Sequence, residues 1–206
     1  MARIDHAVTS GTFSLDGQTF DVDNNIWVIG DDAECVVIDA PHSVADIVNV
    51  VGDRTVRAVL CTHAHDDHVR VAPELGRTVQ APVLLHPADL PVWQLTHDDP
   101  PDGELVDGQQ IPVADIALQV IHTPGHAPGA VCFYSPQLGV VFTGDTLFSG
   151  GPGATGRSFS NFDVIVHSIA ERLLTLPEET VVKTGHGDDT TIADERENIL
   201  AGGRFA

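Results

Sequence analysis

His63-Ala64-His65-Asp66-Asp67-His68 stands directly behind the apolar run from Val56 to Thr62. Imidazole nitrogens and carboxylate oxygens are natural ligands of zinc and its first-row neighbours. His63 and His65 alternate as if leaving a strand end, and residues two apart on an extended backbone point to the same side. Asp67 and His68 fall where the chain turns into the next helix, so their side chains project to a different spot. One short run can therefore serve two adjacent metals.

Working outward, three further candidates share one pattern. Each lies just past an apolar strand in a glycine-bearing turn: His126 in Thr-Pro-Gly-His, Asp145 in Thr-Gly-Asp-Thr and His186 in Thr-Gly-His-Gly. Sites on α/β sheets gather at strand ends, where loops carry function and glycine permits close approach. Four strand ends bearing ligand-type residues form a constellation; a lone histidine would read as structural. His6, His42, His86, His97, His122 and His167 fit no such landmark and read as structural or surface residues, with His122 near enough to His126 to support it. Asp66 reads as a solvated or supporting neighbour.

The wider pattern is strands first, then a helix, twice. Thr12 to Phe20 predicts a hairpin turning at Asp16-Gly17. Strands follow at Asn25 to Gly30, Cys35 to Ala40 and Val56 to Thr62, with Ser43 capping an amphipathic helix through Val51. Val69 to Gly76 reads as a helix and Pro82 to His86 as a strand. Pro87 to Pro101, with Trp93 inside it, reads as a surface loop or short helix. Ile116 to Ile121 is a strand, and Ala130 to Ser135 with Gly139 to Thr143 a hairpin. The glycine-rich loop Ser149 to Ser158 precedes a helix from Asn161 or Asp163 to Leu174, a strand Val181 to Lys183 and a helix Ile192 to Leu200. Hairpins beside strand-helix-strand units predict an α/β fold of two mixed sheets with helices outside. The 206 residues fit a single domain, 1–206.

Thirty acidic side chains against ten basic ones give a formal charge of −20. This disfavours nucleic acid and anionic membrane surfaces as partners, since both need Lys and Arg. The N-terminal stretch lacks the apolar core of a signal peptide, and no run reaches the roughly 18 apolar residues of a membrane span. Cys35, Cys61 and Cys132 lie far apart in strand-like contexts and read as buried, inert thiols. A cytoplasmic protein is expected.

The ordered landmarks, His-x-His-x-Asp-His, Pro-Gly-His, Gly-Asp-Thr-Leu-Phe (144–148) and Gly-His-Gly, resemble those of the metallo-β-lactamase-fold hydrolases, along essentially the full chain. The glyoxalase II-like thioester-hydrolase branch is the most similar. The resemblance implies a four-layered αββα sandwich. It implies His63, His65 and His126 on one metal, Asp67, His68 and His186 on a second, and Asp145 bridging both. It implies two divalent ions, zinc first, with iron or manganese as alternatives, and a small-molecule thioester as substrate. Two carboxylates among seven ligands leave such a centre net positive, and hydroxide held between the metals would attack the thioester carbonyl. Asp67 and Asp145 are then the catalytic carboxylates.

Glyoxalase II proteins usually continue into a helical C-terminal domain and carry a Gly-Cys-Gly-Lys-Phe-type loop. Here the loop is Ser149 to Ser158 and the chain ends soon after Gly187. The shorter form and the composition, with Lys183 as the only lysine, make a mycothiol thioester an alternative to a glutathione one. Arg157 and Ser158 are the candidate substrate contacts, with a structural ion pair the other reading of Arg157. Rival readings on the same landmarks are a mononuclear iron persulfide dioxygenase using His63, His126 and Asp145, a lactonase or β-lactamase, and a metal-binding protein without activity.

Overall fold

The computed structural model describes residues 1–200. The rest of the expected domain, residues 201–206, lies outside the described residues.

Asp16 and Gly17 both take positive φ, 53° and 74°, the geometry of a two-residue hairpin turn. From this turn run β1 (Arg3–Leu15) and β2 (Gln18–Gly30), paired antiparallel from Leu15↔Gln18 to Arg3↔Gly30. The expected short hairpin and the expected strand Asn25 to Gly30 are thus one long ribbon. The stretch Asp21 to Asn24 between the two expected pieces is polar but for Val22, so no apolar alternation joins them in the sequence.

β3 (Glu34–Ile38), β4 (Thr55–Leu60), β5 (Val83–Leu85) and β6 (Gly103–Glu104) complete a six-stranded sheet in the order β1-β2-β3-β4-β5-β6. β7 (Gln110–Val113), β8 (Ile116–His122), β9 (Val131–Ser135) and β10 (Val140–Gly144) begin the second sheet. After a small pair, β11 (Leu147–Phe148) with β12 (Gly151–Pro152), come β13 (Val181–Thr184) and β14 (Thr190–Thr191). The second sheet's order is β14-β13-β10-β9-β8-β7.

The helices are α1 (Val44–Val51), α2 (Asp66–Val69), α3 (Ala72–Val79), α4 (Leu90–Trp93), α5 (Phe162–Ser168) and α6 (Ile192–Leu200). Ser43 caps α1, its hydroxyl accepting from Asp46 N at 3.2 Å, and Asn161 caps α5 through Val164 N at 3.1 Å. A π-type turn over Ile169–Leu173 carries α5 onward. The helix expected over Val69 to Gly76 starts earlier and breaks in two. Pro73 has no N–H to give to a preceding carbonyl, so α3 begins afresh around it.

Strand alternation sorts the side chains into three cores. Ile26, Val28, Cys35 and Val37 pack with Ile47, Leu75, Val92 and Trp93 on the outer face of the first sheet. Their neighbours Trp27, Ile29, Val36 and Ile38 meet Leu118, Val120, Phe133 and Phe142 between the sheets. Cys132 and Val141 turn the other way, onto Ile165, Ile169, Leu173 and Ile192. Three cores between helix, sheet, sheet and helix make the expected αββα sandwich, and the inner strands β3, β9 and β10 are buried on both faces, which is why their sequences read as continuous apolar runs.

Trp93 is 1% exposed and Asp89 fully buried, so the segment expected on the surface is partly a core element. Short helical turns over residues 87–93 carry Asp89, Val92 and Trp93 inward, while Asp98, Asp99 and Pro100 stay exposed. Cys35, Cys61 and Cys132 are buried and free. Among the described residues no helix is long and apolar enough to cross a membrane.

Candidate metal centre

β4, β8, β10 and β13 end at one side of the sandwich, and the residues just past them converge. His63 and His65 leave β4, with His65 at the start of α2, which carries Asp67 and His68. His126, Asp145 and His186 follow β8, β10 and β13. All seven groups singled out from sequence are joined by contacts with one another: His68, His126 and His186 meet Asp145, Asp67 meets His68 and His186, and His65 meets His63 and His126.

His65 Nδ1 lies 3.0 Å from His63 Nε2 and 3.0 Å from His126 Nε2. His68 Nε2 lies 3.2 Å from His186 Nε2, and Asp67 Oδ2 is 3.5 Å and 3.3 Å from these two nitrogens. Asp145 stands between the groups. Its Oδ2 is 3.5 Å from His126 Nε2 and 3.4 Å from His186 Nε2, while Oδ1 is 3.3 Å from His68 Nε2. Each triad, His63-His65-His126, His63-His68-Asp145 and Asp67-His68-His186, has its ligand atoms within 4.8 Å of one another.

The outward nitrogens explain which atoms face inward. His126 Nδ1 donates to Ala154 O at 2.8 Å, His186 Nδ1 to Asp23 O at 2.7 Å and His68 Nδ1 to Asp39 Oδ2 at 2.8 Å. His63 Nδ1 faces Thr62 Oγ1 at 3.1 Å, and that hydroxyl gives its hydrogen to Asp39 Oδ2 at 2.8 Å. With Nδ1 protonated, a neutral imidazole turns a lone pair inward from Nε2. Facing lone pairs repel unless a proton or a cation lies between them. Asp145 Oδ1 is also buried with no hydrogen bond among the described residues. This donor set, nitrogen-rich with carboxylates and outer hydrogen bonds in place, fits divalent first-row metals.

Electrostatics divides the cluster. Burial pushes His63 and His126 down, and His65 to about 3, so these imidazoles are neutral. Burial opposes charge on His68 and His186 as well, but there the carboxylates win: Asp145, Asp67 and Asp39 hold His68 well above its ordinary value, and Asp145 with Asp67 raises His186 to about 10. Against their own burial, Asp67 is held at about 2 chiefly by His68, and Asp145 well below the carboxylate range by His186 and His68. Protons on His68 and His186 thus balance the two carboxylates, and a divalent cation displaces such protons when it binds.

Sequence reasoning missed four supports, Asp39, Asn24, His42 and Asp89. Asp39, buried at φ 63°, ties Thr62 and His68 together; its signal was there, a carboxylate just past the apolar strand β3. Asn24 Nδ2 donates to Asp67 Oδ2 at 3.1 Å, and His42 Nε2, expected to be structural or at the surface, donates to Asn24 Oδ1 at 2.8 Å. Asp89 accepts Ala64 N at 2.7 Å and Gly129 N at 2.5 Å, clasping the loops of His65 and His126. Gly185 leaves room: a Cβ there would lie 2.3 Å from Asp145 Oδ1.

His122 supports the His126 loop through Pro128 O at 3.0 Å and stacks on His86 at 4.0 Å between centroids. His6 stacks on Trp27 and His97 bonds Val69 O. Asp66 pairs with Arg70 and accepts Ser14 N, anchoring α2 to β1.

A cavity of about 380 Å³ opens over the cluster. His65, Asp67, His126, Asp145 and His186 form its floor, and Phe13, Phe20, Val22, Arg157 and Ser158 line it further out. The Ser158 hydroxyl is engaged by Asp16 at 2.6 Å. A larger groove of about 740 Å³ beside Trp93 contains none of the cluster.

The metallo-beta-lactamase superfamily pattern matches residues 19–186. The probable metallo-hydrolase YqgX of Bacillus subtilis is 33% identical over 192 residues, covering 84% of this chain and 89% of the relative. A hydroxyacylglutathione hydrolase of Aeromonas salmonicida is 34% identical over 169 residues, 80% of this chain and 61% of the relative. The crystal structure of TTHA1623 in a di-iron-bound form superposes with a TM-score of 0.77 at 31% identity, covering 92% of this chain and 98% of the other. The chain belongs to the metallo-beta-lactamase superfamily and shares its fold and its metallo-hydrolase relatives.

Proposed function

We propose that this chain hydrolyses an acyl-thioester of a low-molecular-weight thiol, of the glutathione or mycothiol type, at a two-metal centre. The observation that carries the reading is Asp145, whose two oxygens face two different groups of ligand nitrogens beneath an open cavity. His63, His65 and His126 would hold one ion, Asp67, His68 and His186 the other, and Asp145 both. Zinc suits these nitrogen and carboxylate donors, and the di-iron relative supports iron as well. Divalent metal held there supplies hydroxide at neutral pH and polarises a carbonyl oxygen.

The chain's own residues do the rest. Asn24 holds the Asp67 carboxylate toward the cavity floor, where it orients the attacking oxygen. Phe13, Phe20 and Val22 wall the cavity with apolar surface, which carries the substrate's hydrocarbon and keeps bulk water from the reacting carbonyl. A thiolate, of ordinary pKa about 8.5, leaves without prior protonation, so a thioester requires no general acid. The hydroxyacylglutathione hydrolase relative supports the same class.

The test is a panel of glutathione, mycothiol and coenzyme A thioesters, with metal content measured on the same sample. Thiol release with two metals per chain is expected. One iron per chain with oxygen uptake from a persulfide would replace this reading with the dioxygenase one, and no thiol release from any carrier would end it.

A further inference from the structure

His186 stands on the least enclosed segment of the centre. Gly185 and Gly187 flank it, and Gly187, Asp188 and Asp189 are exposed. Its side chain, 23% exposed, is the most open of the seven candidate ligands. A glycine on either side leaves the backbone free to turn, so the imidazole's place depends on what holds the loop from outside.

β2, in the other sheet, holds it. Asn25 N donates to Gly185 O at 2.8 Å. Asn25 Nδ2 donates to Thr184 O at 3.1 Å and to Gly187 O at 3.0 Å. Trp27 Nε1 gives Thr184 O a second donor at 3.0 Å, and the Thr184 hydroxyl donates to His186 O at 2.7 Å. Every carbonyl from Thr184 to Gly187 is thus taken, three of them by Asn25. A buried asparagine costs free energy unless its amide is bonded. Here the amide closes on the loop that carries one candidate ligand.

The carbonyls also settle which way the amide points. Thr184 O and Gly187 O only accept, so the nitrogen faces the loop and Oδ1 faces His6 Nε2 at 2.9 Å. His6 Nε2 therefore carries a hydrogen and holds the amide against a flip. His6 itself is exposed and stacks on Trp27, with ring centroids 4.2 Å apart. Among the described residues, neither Asn25 nor His6 bonds to His63, His65 or His126.

We propose that Asn25 is the positioning residue of His186: oriented by His6, it sets the metal affinity of the Asp67-His68-His186 group and leaves that of the His63-His65-His126 group unchanged. The inference rests on the two-metal reading for there being a second ion to hold, and on nothing about the substrate.

The test uses the whole chain, zinc as the probe and no turnover. A chromophoric chelator competes for the two zinc ions, and the ring-nitrogen NMR resonances of His186 and His65 report which group each step fills. Asn25→Leu should weaken zinc about 10- to 100-fold at the His186 group, as loss of an outer support does. At the His65 group the change should stay below about twofold, as for an independent site. His6→Phe keeps a ring on Trp27 but no donor, and should weaken the His186 group about threefold to tenfold. His6→Gln keeps a donor and should restore it. His6 is exposed, so this pair decides the matter even if Asn25→Leu folds poorly. Equal weakening of both groups in folded Asn25→Leu overturns the proposal, as does no weakening, or a His6→Phe protein that matches the native one. A native chain that takes one zinc and leaves His186 without metal removes the two-metal reading and this inference with it. Selective loss in the variants with no thioester cleaved by the native chain would keep the inference and remove the hydrolase reading. Thioester cleavage by a chain whose two groups weaken together would do the reverse.

Discussion

Asp39 Oδ2 accepts the Nδ1 hydrogen of His68 at 2.8 Å while both residues are almost wholly buried. The same oxygen takes the Thr62 hydroxyl that faces His63, and Oδ1 takes the Thr62 N–H at 2.7 Å. One carboxylate that lies outside the ligand cluster thus orients an imidazole of each half. Such outer partners set the tautomer and raise the basicity of the inward nitrogen. Asp39→Asn should lower metal affinity about 10- to 100-fold, measured by competition with a chromophoric chelator. Unchanged affinity in a folded variant would remove Asp39 from the centre.

Asp89 offers a pH test away from the ligands themselves. Burial lifts its pKa to about 6, and the N–H groups of Gly129 and Ala64 offset only part of that. The folded state therefore binds a proton that the unfolded chain has already lost between about pH 4 and about pH 6, so this group's contribution to stability falls as pH rises through that window. Asp89→Asn has no such proton. The stability of the unmodified protein relative to this variant should fall across the window by up to about 3 kcal/mol, at about 1.4 kcal/mol per unit. Denaturant melts of both proteins read the difference, and a flat or rising difference would contradict the assignment.

Gly185→Ala probes how tightly Asp145 is seated. The added Cβ would fall 2.3 Å from Asp145 Oδ1 and 2.9 Å from His68 Cε1, so the carboxylate must move. Activity is expected to drop at least about a hundredfold, as when a metal ligand or its support is displaced, with the far-UV spectrum unchanged. Near-normal kcat/KM with full metal content would show that the carboxylate can shift at little cost.

Metal binding should report the electrostatic division of the cluster. His65, near 3, has no proton to lose at neutral pH, whereas His186, near 10, does. Binding at the Asp67-His68-His186 group must therefore release protons, and its affinity should rise with pH between about pH 6 and about pH 8, by up to tenfold per unit for each proton released. Binding at His63-His65-His126 should be nearly flat there. Metal at a hundred times its Kd should also add about 2.7 kcal/mol to stability. Titrations in two buffers of different ionisation enthalpy count the protons, and equal pH slopes at both groups would refute the division.

Much of this was legible in the chain itself. Predominantly apolar runs followed by histidine or aspartate marked β4, β8, β10 and β13, because core strands need apolar sequence and because the turns after β8, β10 and β13 use glycine's room. The run His63 to His68 already read as one segment that could serve two places, since a strand end and a helical turn aim side chains differently. What the tertiary structure alone decided lies in contacts between distant segments. The tip of the β1–β2 ribbon reads only as a short hairpin, yet it brings Phe13 and Phe20 to the cavity and carries Asn24 to Asp67. Asp39 and Asp89 look like ordinary loop carboxylates until folding buries them against Thr62, Ala64 and Gly129. Local pattern records what one segment buries; a carboxylate's partner is settled only when residues far apart in the chain share the same few ångströms.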